Sequence, residues 1–143
     1  MVGDANTEPP QISMNPTGAA IALWAQSDGT RYNIMASRYS AGIWNTPQRI
    51  SNDNHIGASY PQVAIDASGN AIAVWGQVDS AVQSIWANRL AADAGWGVPQ
   101  LIESGARDAY FPEIAIDANG NAIAVWKQSD DLVRGGIWAN HYR

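Results

Sequence analysis

The sequence predicts an all-β chain written as a repeat of 51 residues. Three observations predict it. Near-copies of one segment open at Pro10, Pro61 and Pro112, reading PQISMNPTGAAIALWAQSD, PQVAIDASGNAIAVWGQVD and PEIAIDANGNAIAVWKQSD. Short apolar runs alternate with glycine-containing turn signals. No window of ten positions carries apolar residues at helical spacing.

The first strand of each unit is PQVAID, where Val63 and Ile65 alternate with Ala64 and Asp66. The turn DASGN or DANGN follows. Its glycine, at positions 18, 69 and 120, supplies the positive φ of a tight hairpin. AIAVW is the second strand, ending on Trp24, Trp75 or Trp126 and followed at fixed spacing by Gln26, Gln77 or Gln128. The third strand is IMASR, IWANR or IWANH, starting at Ile34, Ile85 and Ile137. A fourth, GIWNTPQRI from Gly42 and GWGVPQLI from Gly95, has no counterpart in the third copy. Units therefore span 10–60, 61–111 and 112–143, after a polar segment 1–9.

The second strand carries the architecture. Ala71, Ala73 and Trp75 point one way, and Ile72 and Val74 the other, so both faces are apolar. Alanine is a poor strand former, and its recurrence at the same places predicts crowding. A β-propeller supplies both conditions: sheets stack face to face and their inner strands crowd at an axis. A β-trefoil or β-prism is the alternative, but either would require a complete third unit.

The chain has 143 residues, one domain's length, with 24 alanines and 7 tryptophans against a single phenylalanine, Phe111. It has no cysteine, which excludes disulfides, thiolate metal sites and thiol nucleophiles. Eight basic against 13 acidic residues, with no basic cluster, argue against nucleic acid or an anionic membrane as partner. No apolar run is long enough to span a membrane. The amino end MVGDANTEPP lacks the apolar centre of a signal peptide, which predicts a mature form or an intracellular protein.

The pattern P-x-[IV]-A-I-D-x-x-G-N-A-I-A-V-W-x-Q, followed by I-W-A-N-R and W-x-x-P-Q, resembles the repeats of bacterial β-propeller proteins of the broad sialidase-like kind. The likeness runs from Pro10 to Arg143. It implies a propeller scaffold and a secreted or cell-surface location. The aspartate box S-x-D-x-G-x-x-W of sialidases is absent between third and fourth strands, and neither the arginine cluster nor the tyrosine–glutamate pair is assignable.

Three units do not close a ring, so the sequence predicts a homodimer forming six blades, or else a piece of a longer propeller. Packing between blades accounts for Trp24, Trp75 and Trp126. Trp86, Arg89, Trp96, Tyr110 and Trp138 form the expected ligand-binding set, for a glycan or a protein. The variable loops with Tyr60, Tyr110 and Phe111 are a second recognition surface. Asp66 and Asp117 read as Asx turns rather than calcium ligands, because the full loop is missing. His55 beside Asp53 reads as solvated, and Asp130–Asp131 as a turn with no pocket. No catalytic motif, metal or cofactor site is recognisable. The expected function is a non-catalytic binding or scaffold module, with a sialidase-like hydrolase or a ligand-free fragment as alternatives.

Overall fold

A computed structural model of the chain describes residues 7–53, 56–129 and 135–142. All regular structure among them is β. The first sheet holds β1 (Gln11–Met14), β2 (Ala20–Ser27), β3 (Tyr32–Ser40), β4 (Ile43–Trp44) and β5 (Gln48–Arg49). The second repeats it with β6 (Gly57–Ile65), β7 (Ala71–Val78), β8 (Gln83–Ala91), β9 (Gly95–Trp96) and β10 (Gln100–Leu101). The third holds β11 (Ala109–Ile116), β12 (Ala122–Ser129) and β13 (Gly135–Tyr142). Every pairing is antiparallel, and the first three strands of each sheet are neighbours in chain order.

The hairpin turns form as their residues dictate. Asp66 Oδ1 accepts from the backbone N–H of Ser68 and Asn70, and Asp66 Oδ2 accepts from Asn70 Nδ2. Asp117 does the same for Asn119 and Asn121. Those bonds, led by Asn121, hold the Asp117 carboxyl below the usual carboxylate range. In the first sheet Asn15 Oδ1 serves Thr17 and Ala19. These are Asx turns, with Gly18, Gly69 and Gly120 at φ between +82° and +88°. A Cβ on Gly69 would also stand 3.3 Å from the Arg38 guanidinium of the first sheet. Gly69→Ala is therefore expected to lower the unfolding free energy by about 1–2 kcal/mol, read from urea denaturation.

The fourth strand differs from expectation. It is broken into two short pieces, β4 and β5 or β9 and β10, both pairing with the third strand. The break falls at Asn45–Pro47 and Gly97–Pro99, where proline has no N–H for the ladder.

The sheets stack so that the second is covered on both sides. Ala71, Ala73 and Trp75 pack with Ile21, Leu23, Ala25 and Ile34 of the first sheet. Ile72, Val74 and Ile85 pack with Ala122, Ala124 and Trp126 of the third. Each junction thus joins an isoleucine–valine or isoleucine–leucine face to the alanine–tryptophan face of the next sheet. The first strand of each later sheet lies against the sheet before it, β6 along β1, β2 and β3 and β11 along β6, β7 and β8, whereas the third strands of the first two sheets, β3 and β8, stand farther apart. This radial splay is the geometry of a propeller-like fold.

Each buried indole has the acceptor it needs. Trp75 Nε1 donates to Gln77 Oε1 at 3.1 Å, and Trp126 Nε1 to Gln128 Oε1 at 2.9 Å. Two residues apart on a strand, tryptophan and glutamine share a face. The glutamine amide then reaches the preceding sheet's end: Gln77 to Asn52 and Gln128 to Glu103. Trp24 keeps the same bond to Gln26 but is only half-buried, because its face has no neighbouring sheet among the described residues.

Candidate functional site

The first strands do not begin at their prolines. β6 starts at Gly57 and β11 at Ala109, and both run through a bulge between Ser59 and Gln62 or Tyr110 and Glu113. Pro61 and Pro112 cannot donate to the ladder, so the register skips there. Tyr60 and Phe111, each preceding its proline, sit at φ +54°. Bulky side chains rarely adopt this conformation, and such strain concentrates at functional sites. The two rings meet edge to face with centroids 4.9 Å apart, and both remain largely exposed.

Around them the convergence of the first strands leaves a cleft of about 360 Å³. It is lined by Tyr60, Phe111, the prolines and residues at one repeated position: Gln11, Gln62 and Glu113. Gln62 Nε2 donates to Glu113 Oε1 at 3.4 Å, joining the second and third sheets. Glu8 lies on the same cleft, and its Oε2 accepts from the Tyr60 backbone N–H at 3.3 Å. Thr7 pairs with Gln26 as Ala58 pairs with Gln77, so residues 7 and 8 extend the first strand rather than forming a free polar tail. The cleft thus offers two aromatic rings, two carboxylates and two amides.

The five residues predicted as a ligand set do not converge. Trp86 and Trp96 pack against the core between the first two sheets, and Trp86 Nε1 donates to Asp79 Oδ2 at 3.0 Å. Trp138 lies on β13 opposite Trp126, partly exposed. Arg89 lines a separate cleft of about 340 Å³ with Tyr142. Burial pushes the Tyr142 phenol up to about 12, against the opposing effect of the Arg89 charge. Tyr110 alone adjoins the aromatic pair, 6.0 Å from the Phe111 ring. Its phenol is raised above the ordinary range, by desolvation first and then by Asp108. Tyr60 and Phe111, read as loop residues in the sequence, stand on strands. His55 and the Asp130–Asp131 pair lie outside the described residues.

No family model matches the sequence, and no curated protein matches it. Solved structures do share its fold. A protein of unknown function from Dyadobacter fermentans DSM 18053 superposes with a TM-score of 0.63 at 10% identity, over 92% of this chain and 49% of that one. The endo-arabinase of Bacteroides thetaiotaomicron VPI-5482 gives 0.60 at 12% identity, over 96% and 56%. A thermostable family-43 glycoside hydrolase gives 0.60 at 13%, over 99% and 55%. The chain thus spans about half the length of these proteins. The likeness corrects one expectation. Lack of a catalytic motif predicted that the chain is no enzyme, yet two of these neighbours are glycoside-cleaving enzymes by name. A motif search sees groups close in sequence, whereas this fold assembles a cleft from strands one repeat apart.

Proposed function

We propose that the chain is a three-bladed part of a carbohydrate-active β-propeller, with its glycan site in the cleft at the axis. The blades are the three sheets, the second opening at Gly57 and the third at Ala109, and the third holds three strands among the described residues. One observation carries the reading: Tyr60 and Phe111, held at positive φ by equivalent bulges, line the cleft beside Glu8, Gln62 and Glu113. Sugar rings present apolar C–H faces that stack on aromatic rings and hydroxyls that pair with carboxylates and amides. Hydrolysis of a glycosidic bond uses two carboxyl groups, one donating and one accepting a proton or bond. Glu8 and Glu113 are the carboxylates at this cleft. The endo-arabinase neighbour makes arabino-oligosaccharides the first ligands to try.

Titration calorimetry with arabino-oligosaccharides, paired with assay of released reducing ends, tests the reading. Phe111→Ala is expected to weaken binding about 10- to 100-fold, a contact-residue effect. Glu113→Gln is expected to leave binding within a few-fold and to remove any release of reducing ends. Binding that ignores Phe111→Ala, or no binding at millimolar sugar, would sink it.

A further inference from the structure

Among the described residues the two end sheets each leave one apolar face bare, and the two faces are the halves of the junction already made twice inside the chain. On the first sheet Ile12 and Met14 are 62% and 63% exposed, beside Ala22 and Trp24. Their counterparts one repeat later, Val63, Ile65, Ala73 and Trp75, are the surface that packs on the first sheet. On the third sheet Ile123 and Ile137 are 57% and 78% exposed. Their counterparts Ile72 and Ile85 are fully buried against the third sheet.

We propose that a second copy of this chain covers these faces, the third sheet of each copy docking on the first sheet of the other to close one ring. The inference rests on reading the sheets as blades, not on the carbohydrate reading. Its occupant is argued from continuity: the docking would repeat an interface for which both complementary faces are present on one molecule.

Departures from the repeat also match across the proposed junction. Lys127 stands where Ala25 and Gly76 stand in the buried faces. The internal junctions set Ala58 or Ala109 at this level, whereas the first sheet has the hydroxyl-bearing Thr7. A charged side chain on one face thus answers a polar segment on the other. Asn88 and Asn140 each bond a carbonyl at the end of the preceding repeat, Ile50 or Ile102. The first sheet has Ser37 instead, which bonds the Asn45 carbonyl of its own sheet.

Light scattering behind a sizing column is expected to give twice the 15.3 kDa chain mass across micromolar concentrations. Ile123→Asp or Ile12→Asp strikes both junctions of the ring at once and is expected to raise the dissociation constant at least on the order of 100-fold. Because the chain has no cysteine, Ala22→Cys combined with Ile123→Cys is expected to give a dimer that a short bifunctional maleimide cross-links, which neither single variant gives. The pair also serves if an aspartate variant fails to fold. A monomer at about 100 μM, an assembly that grows stepwise with concentration, or a dimer indifferent to all these changes would overturn the proposal. Oligosaccharide titration of the same sample reports separately on the cleft.

Discussion

Trp75→Ala is expected to lower the unfolding free energy by about 3–5 kcal/mol, the cost of truncating a fully buried tryptophan. Two losses add. The indole is completely shielded and fills the junction between the first two sheets, so its removal opens a cavity that β-strands fixed by their ladders cannot collapse into. Its N–H also satisfies Gln77, which is itself fully buried. Without the indole, Gln77 keeps its amide bonds to Asn52 and Asp79 but has a carbonyl left bare in the core. Trp24→Ala removes the same letter from the same strand position. There the indole is half-exposed and no sheet packs on it among the described residues, so about 1–2 kcal/mol is expected. Urea denaturation of the two variants at low protein concentration measures the difference. Equal losses would mean that the junction does not carry the stability assigned to it.

That contrast marks what a sequence of this kind discloses. The repeat step, the hairpin glycines and the doubly apolar second strand are all visible as letters, because period, turn chemistry and alternation are local properties. The pairing of tryptophan with glutamine is visible as W-x-Q, although its purpose emerges only when the indole is seen to be buried. Ile21, Ile72 and Ile123 are one letter at one repeat position, yet the first two are buried and the third is 57% exposed. Burial is set by whether another sheet lies alongside, and no local pattern encodes that.

The cleft was harder still to foresee. Pro9, Tyr60 and Phe111 occupy one position with three different residues, so alignment by identity passes over them. The strained backbone arises from an interrupted ladder before a proline, a consequence of pairing rather than of composition. Glu8 belongs to a segment that reads as a polar tail, and only its bonds to Ala25 and Tyr60 draw it to the axis. The predicted ligand set failed to converge for a related reason. Repetition alone gave each tryptophan its place, and repeated aromatic residues mostly serve the junctions that repeat with them.

Asn88→Ala is expected to cost about 2–4 kcal/mol, because it leaves up to three backbone groups without partners. Asn88 is 3% exposed. Its Nδ2 donates to Ile50 O and to Gly97 O, both at 3.1 Å, and its Oδ1 accepts from the Arg89 N–H at 2.8 Å. The bond to Ile50 is the arm that crosses between sheets. The other two stay within the second sheet. Asn88→Ser separates the two kinds of bond, since Ser37 in the first sheet shows a hydroxyl reaching the own-sheet carbonyl at 2.7 Å. The serine variant is therefore expected to lose roughly half of the alanine effect. Asn140 makes the same crossing to Ile102 at 2.9 Å from an exposed position, where water replaces lost partners, and Asn140→Ala is expected to cost only about 1 kcal/mol. Denaturant titration reads all three. In stacked repeats, stability is a sum of unit and junction terms, so a fall in m-value for Asn88→Ala alone would show the first two sheets beginning to unfold separately. If Asn88→Ala and Asn140→Ala prove equal, the crossing bond is not what couples the sheets, and the packing of Trp75 and Trp126 carries that coupling instead.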